Sequence, residues 1–196
     1  MNFRTPLKPS TLRNRLLALV IGTVFALTAS AATTATGPYY ATPSWDQTLP
    51  AATRFVVLAN FAEQAVLDRE TGLVWERTPS PKLYGQSLPP GVFGGSYAEE
   101  RCLELKTGNR MGWRLPSAAE LTSLIDPTQS APALPAGHPF DIGSSQTFWT
   151  SSRYYPERDP VAHRSVNFIL GVTGAAGGTD PIYPVWCVRG GSNAGN

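Results

Sequence analysis

Three arginines and two adjacent tyrosines crowd one short stretch, Arg153-Tyr154-Tyr155, Arg158 and Arg164. A guanidinium donates two parallel N–H bonds to a carboxylate or sulfate, and a tyrosine ring offers a flat apolar face with a hydroxyl at its edge. Side by side, such groups suit a ring that carries an anion, as acidic sugars do. Glu157 and Asp159 in the same stretch offset part of the charge. These five residues are therefore the expected ligand-binding set, against the alternative of an ordinary solvated loop.

Other chemistries find less support. His138 and His163 are the only histidines, and neither is spaced with a second His or a Cys as zinc ligands are. Asp141, Asp159 and Asp180 stand in separate stretches, without the clustered oxygen ligands of a calcium loop. Gly143-Ser144-Ser145 lacks the pattern of a nucleophile elbow. No catalytic residue, metal or cofactor is expected. Trp75, Trp113, Trp149 and Trp186 each sit among strand-forming residues, which points to core packing rather than to sugar stacking.

The chain ends set the compartment. Arg4, Lys8, Arg13 and Arg15 precede an apolar run, Leu16 to Leu27, and Ala29-Ser30-Ala31 follows as a small-x-small cleavage pattern. Residues 1–31 thus read as an export signal, with a retained membrane anchor as the alternative. Without them the chain holds 12 basic and 14 acidic residues, a net charge of −2. The basic character of the whole chain lies largely in that leader, so nucleic acid is not an expected partner, nor is a membrane once the leader is removed. The expected destination is the periplasm or the cell exterior. There, an isolated pair such as Cys102 and Cys187 reads as a disulfide; two separate buried thiols are the alternative.

The elements that must position the candidate residues follow from pattern. Residues 32–54 read as a linker or extended arm, with Trp45 able to pack back, and 55–191 as one domain before a short tail, 192–196. Phe55 to Phe61 predicts a strand. Ala65–Asp68 and Leu73–Arg77, joined by a turn ending in Gly72, predict a hairpin with Val66 and Asp68 on one face and Leu67 on the other. The prolines at 79, 81, 89 and 90 make 78–95 a loop. Ser96 and Glu99 predict a capping box for a helix running to about Thr107, with Cys102 inward and Gly108 in the left-handed position after it.

Ser117 and Glu120 predict a second capping box. Its helix carries Leu121, Leu124 and Ile125 on one face until Asp126-Pro127, and Trp113 and Leu115 enter the same core. Residues 126–147 are a long proline-rich loop, of the kind that carries function or disorder. Thr147–Ser152 and Ser165–Leu170 predict paired strands, 171–178 a glycine-rich loop, and Tyr183–Arg189 a last strand in which Val185 and Cys187 alternate with Trp186 and Val188.

Taken in order, Ala65-Val66-Leu67-Asp68, Thr71-Gly72-Leu73-Val74-Trp75, Cys102, Gly112-Trp113-Arg114-Leu115-Pro116 with Glu120-Leu121, Phe148-Trp149-Thr150-Ser151-Ser152 and Val185-Trp186-Cys187-Val188-Arg189-Gly190 resemble the Lcl C-terminal-domain-like family, bacterial exported domains of unknown function. The resemblance implies an α+β, C-type-lectin-like fold: short strands and two helices, a disulfide from helix to last strand, and long loops that present the binding surface. The family is also distantly similar in fold to formylglycine-generating enzymes, but the matching residues are packing, turn and disulfide positions. The function expected is that of an exported binding or adhesion module for surface or anionic glycans. The alternative is a structural or protein-interaction subunit of a cell-envelope assembly, with residues 33–53 docking on a neighbour.

Overall fold

A computed structural model describes residues 33–35, 45–84, 98–144, 146–154, 162–176 and 182–191. Eleven short strands and three short helices follow one another as β1 (Thr33–Ala35), α1 (Ala51–Arg54), β2 (Phe55–Leu58), β3 (Ala65–Asp68), β4 (Leu73–Glu76), β5 (Ser80–Tyr84), α2 (Ala98–Leu103), β6 (Trp113–Arg114), α3 (Ala118–Thr122), β7 (Thr147–Arg153), β8 (His163–Asn167), β9 (Val172–Ala176), β10 (Tyr183–Val185) and β11 (Val188–Arg189). They form a six-stranded sheet in the order β1-β2-β3-β4-β11-β6, a three-stranded sheet β7-β8-β9 and a two-stranded pair β10-β5. All pairings are antiparallel except that of β1 with β2.

The β3–β4 hairpin forms as expected, and a buried charge organises its turn. Asp68 accepts from the Glu70 N–H at 3.0 Å and the Thr71 hydroxyl at 3.0 Å, which closes the turn before Gly72 takes its positive φ of 69°. Arg54 then grips the same carboxylate with two donors, at 2.9 and 2.8 Å, and also donates to the Ser123 carbonyl at 2.8 Å. Both ions are buried, so removing either would leave the other's charge uncompensated out of water.

Strand alternation divides the core in two. Phe55, Val57, Val66, Leu73, Trp75, Trp186 and Val188 face one cluster, while Val56, Leu58, Leu67, Val185 and Cys187 face the other. Trp186 is the hub of the first cluster. Four aromatic rings surround it, Phe140 at 5.0 Å, Phe148 at 5.4 Å, Phe168 at 5.5 Å and Trp75 at 5.7 Å between centroids. Its indole N–H donates to the Glu76 carbonyl at 2.8 Å, so the ring is anchored at its polar end as well. In the second cluster, Cys102 of α2 bonds to Cys187 between β10 and β11, with both residues fully buried. All four core tryptophans are buried, as their sequence contexts predict.

The structure corrects several expectations. Residues 80–84 form a strand despite Pro81, because β5 lies at an edge where a missing N–H costs no ladder bond. The 171–178 stretch holds β9, which pairs with β8 through its whole length. The last strand is interrupted at Trp186 and Cys187, although the alternation of faces is kept. Trp113 and Leu115 enter the second cluster, whereas Leu121 and Leu124 enter the first. The Cys102 helix stops at Leu103, with Gly108 left-handed at φ 64° after it. Ser96 lies outside the described residues.

Within the 126–147 loop Ala133, Leu134, Phe140 and Ile142 are buried, while residues 127–131, 136, 137, 141, 143 and 144 are exposed. Backbone bonds from Ala133 to the Phe168 carbonyl and from Asp141 to the Arg77 carbonyl staple it to both sheets. The arm also carries structure. Thr33–Ala35 pairs with β2, and residues 51–54 are helical. Trp45 leaves its ring exposed, yet its backbone N–H donates to the Glu70 carbonyl at 3.0 Å, while the Thr48 and Leu49 N–H groups donate to the Glu70 carboxylate. The described part of the arm thus docks on its own domain.

Candidate functional site

The site begins with an irregularity in β7. Phe148 faces Val166 and Trp149 faces Ser165, but Arg153 is the next residue in register, opposite His163. β7 therefore takes four steps where β8 takes two, and such a bulge turns the strand and re-aims the side chains beyond it. Hydrogen bonds fix the extra residues. The Ser151 N–H donates to the Pro116 carbonyl at 2.8 Å, the Ala118 N–H donates to Ser152 Oγ at 2.9 Å, and the Thr150 hydroxyl donates to the Arg164 carbonyl at 2.8 Å.

The partner in that contact is the start of α3. Ser117 Oγ accepts from the Glu120 N–H at 3.2 Å, and Glu120 accepts from the Ser117 N–H at 2.8 Å, which completes the capping box. Arg114 grips the other side of the Glu120 carboxylate at 2.6 and 2.8 Å. Burial pushes the Glu120 pKa up, but the bonds from Arg114 and Ser117 outweigh it and hold the carboxyl below its ordinary value. The Gly112–Glu120 stretch is thereby a rigid brace under the bulge.

Beyond the bulge, Tyr154 and Arg164 come together on one face of the sheet, while Arg153, opposite His163, lies on the other face. Arg153 is exposed at the end of β7, and the Tyr154 N–H closes the strand pair with a 2.8 Å bond to the Ala162 carbonyl. The Arg164 guanidinium lies 5.2 Å over the Tyr154 ring centre. Arg164 belongs to β8 rather than to the loop expected from sequence, which makes its backbone part of a ladder. Tyr155 and Arg158 lie outside the described residues.

His163, the cross-strand partner of Arg153, is half-buried on β8. Burial lowers its pKa, with the charge of Arg153 in the same direction, against a bond with Thr150 and the charge of Glu99. The imidazole is therefore neutral near pH 7, and the positive charge of this surface belongs to the arginines. A guanidinium already stacked on a ring keeps its outer N–H edge for an anion, and the ring's other face for an apolar group.

A concavity of about 520 Å³ opens elsewhere, near the disulfide, among Gln64, Arg77, Arg101, Thr107, Pro139 and Asp141. Glu76, 3 % exposed, lies against it and is saturated by its neighbours. Arg101 donates to its Oε1 at 2.8 Å and the Cys187 N–H to its Oε2 at 2.9 Å, while a second Arg101 nitrogen rests 3.6 Å from Cys187 Sγ. Burial raises the Glu76 pKa, opposed by Arg101 and the Cys187 N–H. This network braces the disulfide. Nothing in the sequence marks Glu76 or Asp68 as buried ions, since each ends a strand next to hydrophilic residues.

Among the described residues, no three His, Cys, Asp or Glu side chains are placed to hold a metal ion, and no helix is long and apolar enough to cross a membrane. The model of the Lcl C-terminal domain family matches residues 64–189, well over half of the chain, and spans the hairpin, the disulfide, the α3 brace and the bulged strand. No curated protein and no solved structure matches the chain.

Proposed function

We propose that this chain, which belongs to the Lcl C-terminal domain family, is an exported, non-catalytic binding module of C-type-lectin-like architecture that recognises anionic glycans. The observation that carries the reading is the Arg164 guanidinium stacked on Tyr154, just beyond a bulge pinned by the α3 brace. An acidic sugar would place its carboxylate or sulfate on the outer guanidinium edges and its ring against the tyrosine. A net charge of −2 without the leader means that such recognition is local to these side chains rather than a general attraction. Export is supported by the leader pattern and by the disulfide, which belongs to an oxidising compartment.

A glycan-array screen of the disulfide-bonded protein, with and without calcium, tests the reading. Salt-sensitive hits on acidic or sulfated glycans are expected, and a blank array from folded protein would overturn it. The alternative, a protein-interaction subunit of an envelope assembly, draws on a different observation: Ile169, Leu170 and Val172 are 45, 71 and 49 % exposed around the β8–β9 turn.

A further inference from the structure

That exposed turn leads into β9, which is unusual among the edges of this fold. Val172, Thr173, Gly174 and Ala175 are all exposed, and among the described residues no strand pairs with the outer side of β9. An unpaired row of N–H and C=O groups invites another strand, and proteins discourage this with prolines, charges or very short edges. The other edges of this fold do so. β5 carries Pro81 and Lys82, β10 carries Pro184, β6 carries Arg114, β7 is bulged and ends in Arg153, and β1 is three residues long. From Ser165 to Ala176 there is no charge and no proline.

We propose that β9 is a homodimer edge, pairing antiparallel with β9 of a second copy of this chain about a two-fold axis at Gly174. Self-pairing is the demanding case for an edge, because any charge near the axis meets its own like charge. β9 has none to meet. With the axis at Gly174, no side chain stands at the crossing point, Thr173 faces the partner's Ala175, and Val172 faces the partner's Ala176. Five residues a side fall short of the roughly 800 Å² per partner of a standard interface, so the dimer is expected to be weak and concentration-dependent.

The pairing joins two three-stranded sheets into one. Arg164 lies opposite Ala175, one residue from the axis. The two β8 strands are then three strand spacings apart, about 14 Å, with both Arg164 side chains on the same face. If the glycan reading above holds, which this consequence rests on, a repeating anionic polymer meets two sites at once and gains by avidity.

Sedimentation equilibrium of the full purified chain tests the pairing without reference to any ligand. The expected result is a monomer–dimer equilibrium that Thr173→Lys and Ala175→Lys each weaken at least tenfold, with unchanged thermal unfolding of the monomer. Hydrogen exchange of the unmodified chain gives a second readout that needs no variant: β9 amides should become protected as concentration rises through the same range. A monomer at all concentrations up to ~1 mM, a dimer indifferent to both substitutions, or β9 amides protected only when a different protein is added would each overturn the proposal.

Discussion

The Ser151 N–H donates to the Pro116 carbonyl at 2.8 Å, and through this bond the strand that ends in Arg153 rests on the start of α3. The Gly112–Glu120 stretch therefore does two things. It caps a helix, and it fixes the bulge from which the basic and aromatic side chains project.

The capping box should be measurable in stability and in its pH dependence. Ser117→Ala removes the acceptor for the Glu120 N–H and is expected to cost about 1 kcal/mol in urea unfolding. The Glu120 carboxyl has a folded pKa below its ordinary value of 4.5. Its contribution is then present above the unfolded pKa and lost as pH falls through the folded one. Glu120→Gln should be less stable than the native chain at pH 7, and the gap should close on acidification below about pH 4.5.

Glu76 behaves with the opposite sign. Its folded pKa is raised, so its contribution is complete below the unfolded value and declines as pH rises through the folded one. Glu76→Gln should therefore gain on the native chain between acid and neutral pH. Arg101→Ala, by contrast, leaves a buried carboxylate without its ion partner and is expected to cost about 3 kcal/mol at pH 7. The disulfide that this pair braces closes an 85-residue separation, worth about 4–5 kcal/mol in the chain-entropy account. Reduction should lower the urea midpoint accordingly.

Gly108 is a site where no side chain fits. Its φ is +64°, and a Cβ there would come within 2.7 Å of the Phe61 backbone and ring. Gly108→Ala combines left-handed strain with a clash against backbone, and a loss of at least about 2 kcal/mol is expected in chemical unfolding. Gly143→Ala is the control, since its φ is also positive but nothing lies within 4 Å.

Local signals in this chain were legible where chemistry is local. The Ser117–Glu120 box, the Asp68–Gly72 turn and the alternation around Cys187 each follow from side chains within a few residues of one another. Strands β5 and β9 were not, because Pro81 and the Gly-Ala composition of 174–176 oppose strand formation and only pairing with β10 and β8 imposes it. The same holds for the site. Arg153, Tyr154 and Arg164 are visible as residue types, but which of them meet depends on pairing with β8 beyond a bulge held by Pro116 and Ala118, over thirty positions away from β7. The burial of Asp68 and Glu76 likewise depends on Arg54 and Arg101, whose approach is tertiary.

The measurement closest to the central claim is the retention of the native protein on an immobilised sulfated polysaccharide across a salt gradient. It should be compared with Arg164→Ala and Tyr154→Ala. The account predicts retention that weakens with salt and falls at least tenfold in each variant, with thermal unfolding unchanged. Folded native protein that is not retained, or variants retained as well as the native chain, would contradict it.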